Sequence, residues 1–101
     1  MTVTATSSST KPSNVEWFPY SSDANRALIK SLNDWTKTQP GFISQTSTNP
    51  TPDFSTTTYI FDTIENYVTW HTARVVRPEY TARTLYNEVN GIISILNSVI
   101  D

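Results

Sequence analysis

His71 is the one histidine in a chain of 101 residues, and its side chain alone has an ordinary pKa near neutrality. It is therefore the candidate catalytic residue, the group that could take a proton from a phenolic substrate. It shares a helical stripe with Ile64, Tyr67, Val68 and Val75, where a histidine serves equally well as a hydrogen-bonded core residue. Tyr67 and Trp70 could stack on a planar ligand or pack as core, and Tyr59, on a strand, could reach the same space. Asn14 could donate to a substrate oxygen or satisfy backbone at a strand start. Arg74, Arg77 and Arg83 could clamp a carboxylate or phosphate. Glu65, Glu79 and Glu88 lie near enough in sequence to neutralise them, and a solvated ion-pair network is the expected arrangement. Cys is absent, so no disulfide, thiolate nucleophile or Cys-built metal site is expected, and a single His cannot supply a His-rich zinc site.

Seven Lys and Arg stand against nine Asp and Glu, for a net charge of -2. That is no electrostatic footprint for nucleic acid or an anionic membrane, and neither is expected as a partner. No stretch approaches the roughly 18 apolar residues of a membrane span. The polar run from Met1 to Ser13 lacks the basic start and apolar centre of a signal peptide, so a cytoplasmic location is expected. A chain this short makes one domain that gains stability from a partner subunit.

These residues need elements to position them. Residues 1–13 read as a polar N-terminal segment, an edge strand or a disordered leader, and residues 14–101 as a single domain. The run Asn14 to Phe18 reads as the first core strand, closed by Pro19. Ser21, Ser22 and Asp23 offer N-cap chemistry for a helix to Lys37, which Gln39-Pro40-Gly41 ends. Phe42 to Thr48 and Phe54 to Phe61 read as a hairpin around a loop with two prolines. Asp62 to Glu65 has the form of a capping box with Asp62 as the cap, starting a second helix whose apolar face holds Ile64, Tyr67, Val68, His71 and Val75. Pro78 predicts a break near Arg77 and a new helical start. Asn90-Gly91 ends that helix, and Ile92 to Ile100 reads as a last strand apolar on both faces.

Strand, helix, strand, strand, helix, strand is the order of the ferredoxin-like split βαβ fold, an α+β arrangement with two helices over one face of a four-stranded antiparallel sheet. Aliphatic residues on both sides of the last strand call for cover on the other face. A second sheet from an identical subunit supplies it most simply, giving a homodimer that closes as a dimeric α/β barrel.

The run Gln39-Pro40-Gly41-Phe42 before a strand, followed by Tyr59-Ile60-Phe61-Asp62-Thr63-Ile64-Glu65-Asn66-Tyr67-Val68-Thr69-Trp70, resembles the antibiotic biosynthesis monooxygenase-like family of dimeric α/β barrels. In the haem-degrading branch of that family an Asn on the first strand, a Trp in the second helix and a His some ten residues later line the pocket. Asn14 and Trp70 fall at the first two positions and Tyr80 stands in the third, so the resemblance does not carry haem with it. Other members oxidise quinol-like or polyketide aromatics with neither metal nor flavin. The resemblance therefore implies a cofactor-independent monooxygenase that needs no cofactor, with Asn14, Trp70 and Tyr80 at its pocket positions; the residue chemistry read above adds His71 as base and Tyr59 and Tyr67 beside a small aromatic ligand.

Two functions stay open on these grounds: that oxygenase, and a non-catalytic ligand-binding or structural dimer of the same fold. RNA recognition shares the order of elements, but the strand Ser55 to Phe61 lacks the basic, glycine and aromatic pattern and the charge is acidic.

Overall fold

The computed structural model describes residues 1–18 and 22–101. Pro19 and Ser21, assigned above to a strand end and a helix cap, lie outside the described residues. The elements run β1 (Val3–Thr10), α1 (Asp23–Lys37), β2 (Phe42–Thr51), β3 (Phe54–Phe61), α2 (Ile64–Val75), α3 (Pro78–Asn90) and β4 (Ile93–Ile100). The four strands form one antiparallel sheet in the order β2-β3-β1-β4, which is the ferredoxin-like topology.

The first strand is Val3–Thr10, not Asn14 to Phe18, and it is interior rather than an edge. It pairs along its whole length with β3 on one side and β4 on the other, two ladders that a five-residue run could not have filled. Residues 14–18 instead form an irregular strap across one end of the sheet. The Trp17 indole donates to Pro52 O at 3.0 Å, Tyr86 Oη donates to Glu16 O at 2.7 Å, and the Phe18 ring meets Tyr86 edge-on with centroids 5.5 Å apart.

Local chemistry sets the other boundaries. Ser22 caps α1 by accepting from the Asn25 backbone N–H. The cap of α2 is Thr63, one residue after the expected Asp62. Thr63 accepts from the Asn66 backbone N–H, while the Asp62 carboxylate accepts from the Asn66 side-chain amide. The expected break falls at Arg77, whose ψ of 144° takes it out of the helix, and Pro78 opens α3. Gly91 closes α3 in the left-handed region at φ 72°.

Residues opposite one another across a ladder share a face. On the helix-covered face Val3, Ala5, Tyr59 and Phe61 join Tyr67 and Trp70 of α2 in the buried core. The buried face of α2 is thus Tyr67, Trp70 and Arg74, whereas Ile64, Val68 and Val75 of the expected stripe are exposed. Tyr67 and Trp70 turn inward because the sheet presents rings to them, Phe61 to both and Tyr59 to Trp70. The opposite face is rich in threonine except along β4, where Ile93, Ile95 and Val99 are 66%, 57% and 60% exposed.

Candidate functional site

Further along the same helix-covered face, the side chains shrink. Ser7 lies opposite Thr57 and Leu96, and Ser9 opposite Ser55 and Ser94. These short hydroxyl residues cannot fill the space under α3, which crosses them with Tyr80, Arg83, Thr84 and Asn87 at the i, i+3, i+4, i+7 spacing of one helical face. A cleft results, made of two adjoining cavities of about 290 and 370 Å³. Both are lined by Ser7, Ser9, Arg74, Arg83 and Asn87. Tyr80 and Ile92 belong to the smaller, while Trp17, Phe18 and Tyr59 wall the larger. The Ser9 and Ser94 hydroxyls hydrogen-bond to each other at 2.6 Å.

Arg74 closes the deep end of the cleft. It is only 7% exposed, and its guanidinium carbon lies 5.2 Å from the Tyr59 ring centre, 5.0 Å from that of Trp70 and 4.9 Å from that of Tyr80. Three ring faces offset much of the desolvation of this cation. Its Nη2 donates to Tyr59 Oη at 3.4 Å, a long bond, and no carboxylate among the described residues pairs with it. The expected network of Arg74, Arg77 and Arg83 with Glu65, Glu79 and Glu88 therefore reduces to one pair. Arg77 donates to the buried Glu79 carboxylate from Nε at 3.0 Å and Nη2 at 2.7 Å, and also covers the Trp35 ring. The Glu79 carboxyl is held below its ordinary pKa by its own backbone N–H and by Arg77, with a smaller part from Ser31. This cluster joins α1 to the start of α3.

Of the residues singled out in the sequence, Tyr59, Arg74, Tyr80 and Arg83 line the cleft. Trp70 lies beneath Arg74 as core and Tyr67 packs beside it, centroids 6.0 Å apart. Asn14 is exposed on the strap, away from both cavity walls. His71 also lines neither cavity; its ring lies parallel to that of Tyr67 at 6.0 Å. Ser7, Ser9, Asn87, Trp17 and Phe18 were not read as site residues. The available signal was the run of small hydroxyl residues in a strand that also carries Val3 and Ala5. Among the described residues no group of three or more His, Cys, Asp or Glu comes together to hold a metal ion, and no helix is long and apolar enough to cross a membrane.

Burial, and after it the Arg74 charge, hold His71 below its ordinary pKa, and its buried Nδ1 has no hydrogen-bond partner among the described residues. The folded chain thus takes up this proton at lower pH than the unfolded chain does. Stability is full above about pH 6.5 and falls as the pH drops from there through the lowered folded value. Melting temperatures measured between about pH 7 and 5 are expected to decline for the wild type and to flatten for His71→Gln. An unchanged slope in the variant would assign the effect to another group.

No protein-family model matches the chain, and no curated protein matches it. Solved structures do. SnoaB, a cofactor-independent oxygenase from Streptomyces nogalater, superposes with a TM-score of 0.64 at 10% identity, over 99% of this chain and 92% of that one. A candidate antibiotic biosynthesis monooxygenase from Deinococcus radiodurans gives 0.64 at 11%, over 98% and 91%. A conserved protein from Methanosarcina mazei Go1 gives 0.64 at 13%, over 97% and 90%. The fold is that of the antibiotic biosynthesis monooxygenase-like structures, as the sequence resemblance implied.

Proposed function

We propose that the chain is a small-molecule-binding protein that pairs through its open sheet face as a dimeric α/β barrel and works as a cofactor-independent monooxygenase on an aromatic or quinol-like substrate. The observation that carries this reading is the cleft under α3, where aromatic walls from Tyr59, Tyr80 and Trp17 meet polar groups from Asn87, Ser7 and Ser9 in a volume suited to a few fused rings. Its likeness in fold to the cofactor-independent oxygenase SnoaB supports the choice of reaction.

In the reaction proposed, a substrate CH2 activated by its ring loses a proton to a water molecule on the solvent-exposed side of the cleft, and the resulting carbanion transfers electrons to dioxygen. One oxygen atom becomes the new carbonyl, and the other leaves as water with the two hydrogens. The protein's part is to hold the ring between Tyr59 and Tyr80, orient it through Asn87, and exclude bulk water. His71 receives no proton-transfer role in this reading, because it lines neither cavity. The second reading, a non-catalytic ligand-binding dimer, is favoured by one specific observation: Glu88 is the sole carboxylate among the described lining residues, and it is exposed.

Oxygen uptake with anthrones, which carry the activated CH2 the step requires, together with native mass spectrometry, tests both parts. The expected result is a dimer that consumes oxygen and forms the oxidised product, with turnover lowered about tenfold or more by Asn87→Ala. Ligand binding without oxygen uptake would select the non-catalytic reading, and a monomer would remove the barrel.

A further inference from the structure

The charge of the cleft has no counterpart inside it. The chain has seven Lys and Arg in all and a net charge of -2, yet two of those seven, Arg74 and Arg83, line both cavities. Among the described residues the larger cavity has no acidic side chain in its wall, and the smaller has only the exposed Glu88. Arg74 is buried, with aromatic faces on three sides and one long hydrogen bond to Tyr59. A guanidinium has five N–H donors, so most of those on Arg74 have no acceptor among the described residues. The neighbouring Arg77 shows the contrast, since it donates twice to Glu79. Three ring faces offset much of the cost of burying this cation, and its unbonded donors are not among the enclosed atoms left without a partner, so they stay open to an acceptor entering the cleft that Arg74 lines.

Resting on the reading of the cleft given above, and narrowing its substrate class, we infer that the ligand is an aromatic acid whose carboxylate is held by Arg74 and Arg83 while its rings lie against Tyr59, Trp17 and Phe18. Free phosphate fits less well, because it would leave the aromatic walls of a 370 Å³ cavity unused. The positive charge of the same two guanidinium groups would also favour the electron-rich form of the substrate before it meets oxygen.

Calorimetry on the full chain with 2-naphthoate and its neutral isostere 2-naphthamide, with inorganic phosphate as competitor, tests the inference. Naphthoate is expected to bind about tenfold or more tightly than the amide, with a preference that weakens as salt rises. Arg83→Gln should abolish most of the preference, Arg83→Lys should restore part of it, and Lys30→Gln, the same charge removed from the exposed side of α1, should leave it intact. Equal binding of acid and amide would overturn the inference and leave the cleft reading standing. A preference that survives in both Arg83→Gln and Arg74→Met would overturn it by placing the anion elsewhere. Displacement of naphthoate by an equal concentration of phosphate would overturn the aromatic class, and binding of neither probe would overturn the inference together with the cleft reading.

Discussion

Replacing Trp70 by alanine is expected to lower the unfolding free energy by about 3–5 kcal/mol, a large part of the 5–15 kcal/mol typical of a whole domain. Trp70 is 1% exposed and packs against Tyr59 and Phe61, with ring centres 4.7 and 5.0 Å away. Its Nε1 donates to the buried Thr36 hydroxyl at 3.1 Å, so one side chain joins α2 to both the sheet and α1. It also forms one of the three ring faces that seat Arg74. Alanine leaves a cavity at the centre of the core and removes the polar tie between the helices. Trp70→Phe keeps most of the apolar area but strands the Thr36 hydroxyl, and should cost about 1–3 kcal/mol. Urea unfolding of the three proteins checks the ranking; a loss under about 1 kcal/mol for the alanine variant would contradict this account of the core.

Gly41→Ala should cost about 2–4 kcal/mol, from the left-handed backbone and from steric overlap together. Gly41 has φ 80°, and a Cβ built there would lie 2.1 Å from Asp62 Oδ1 and 2.8 Å from Asn66 Cβ. Those are the residues that join the end of β3 to the start of α2, through Asp62 N–H donating to Gly41 O at 2.9 Å and the Asn66 amide donating to Asp62 Oδ1 at 2.9 Å. Gly91→Ala is the internal comparison. Its φ is similar at 72°, but a Cβ there meets only Pro12 Cγ at 3.7 Å, so the backbone penalty of about 1–2 kcal/mol should stand alone. Equal losses for the two variants in thermal unfolding would show that the Asp62 and Asn66 side chains swing away freely.

The fold was legible wherever a short local signal decides the outcome. Ser22, Pro78 and Gly91 act through backbone groups within a few residues, so α1, the break at Arg77 and the end of α3 fall where those residues put them. The cap shifted from Asp62 to Thr63 because two side chains with similar cap chemistry adjoin, and the Asn66 side chain was free to engage the one not used. The site was less legible. Tyr59, Arg74, Tyr80 and Arg83 line the cleft, while Trp70 and Tyr67 serve as its foundation and His71 and Asn14 lie off its walls.

By itself, then, the sequence determined the order of elements, the hairpin, the helix boundaries and through them the ferredoxin-like topology, because turns and caps are settled by neighbours along the chain. Tertiary structure alone decided that Val3–Thr10 supplies the interior strand, since a strand's merit depends on partners tens of residues away. It alone turned α2 onto Tyr67, Trp70 and Arg74, because the rings that receive Tyr67 and Trp70 come from β3, on another element of the fold. And it alone made the cleft, which exists because small hydroxyl residues from three strands meet beneath a helix that brings arginine to the same place.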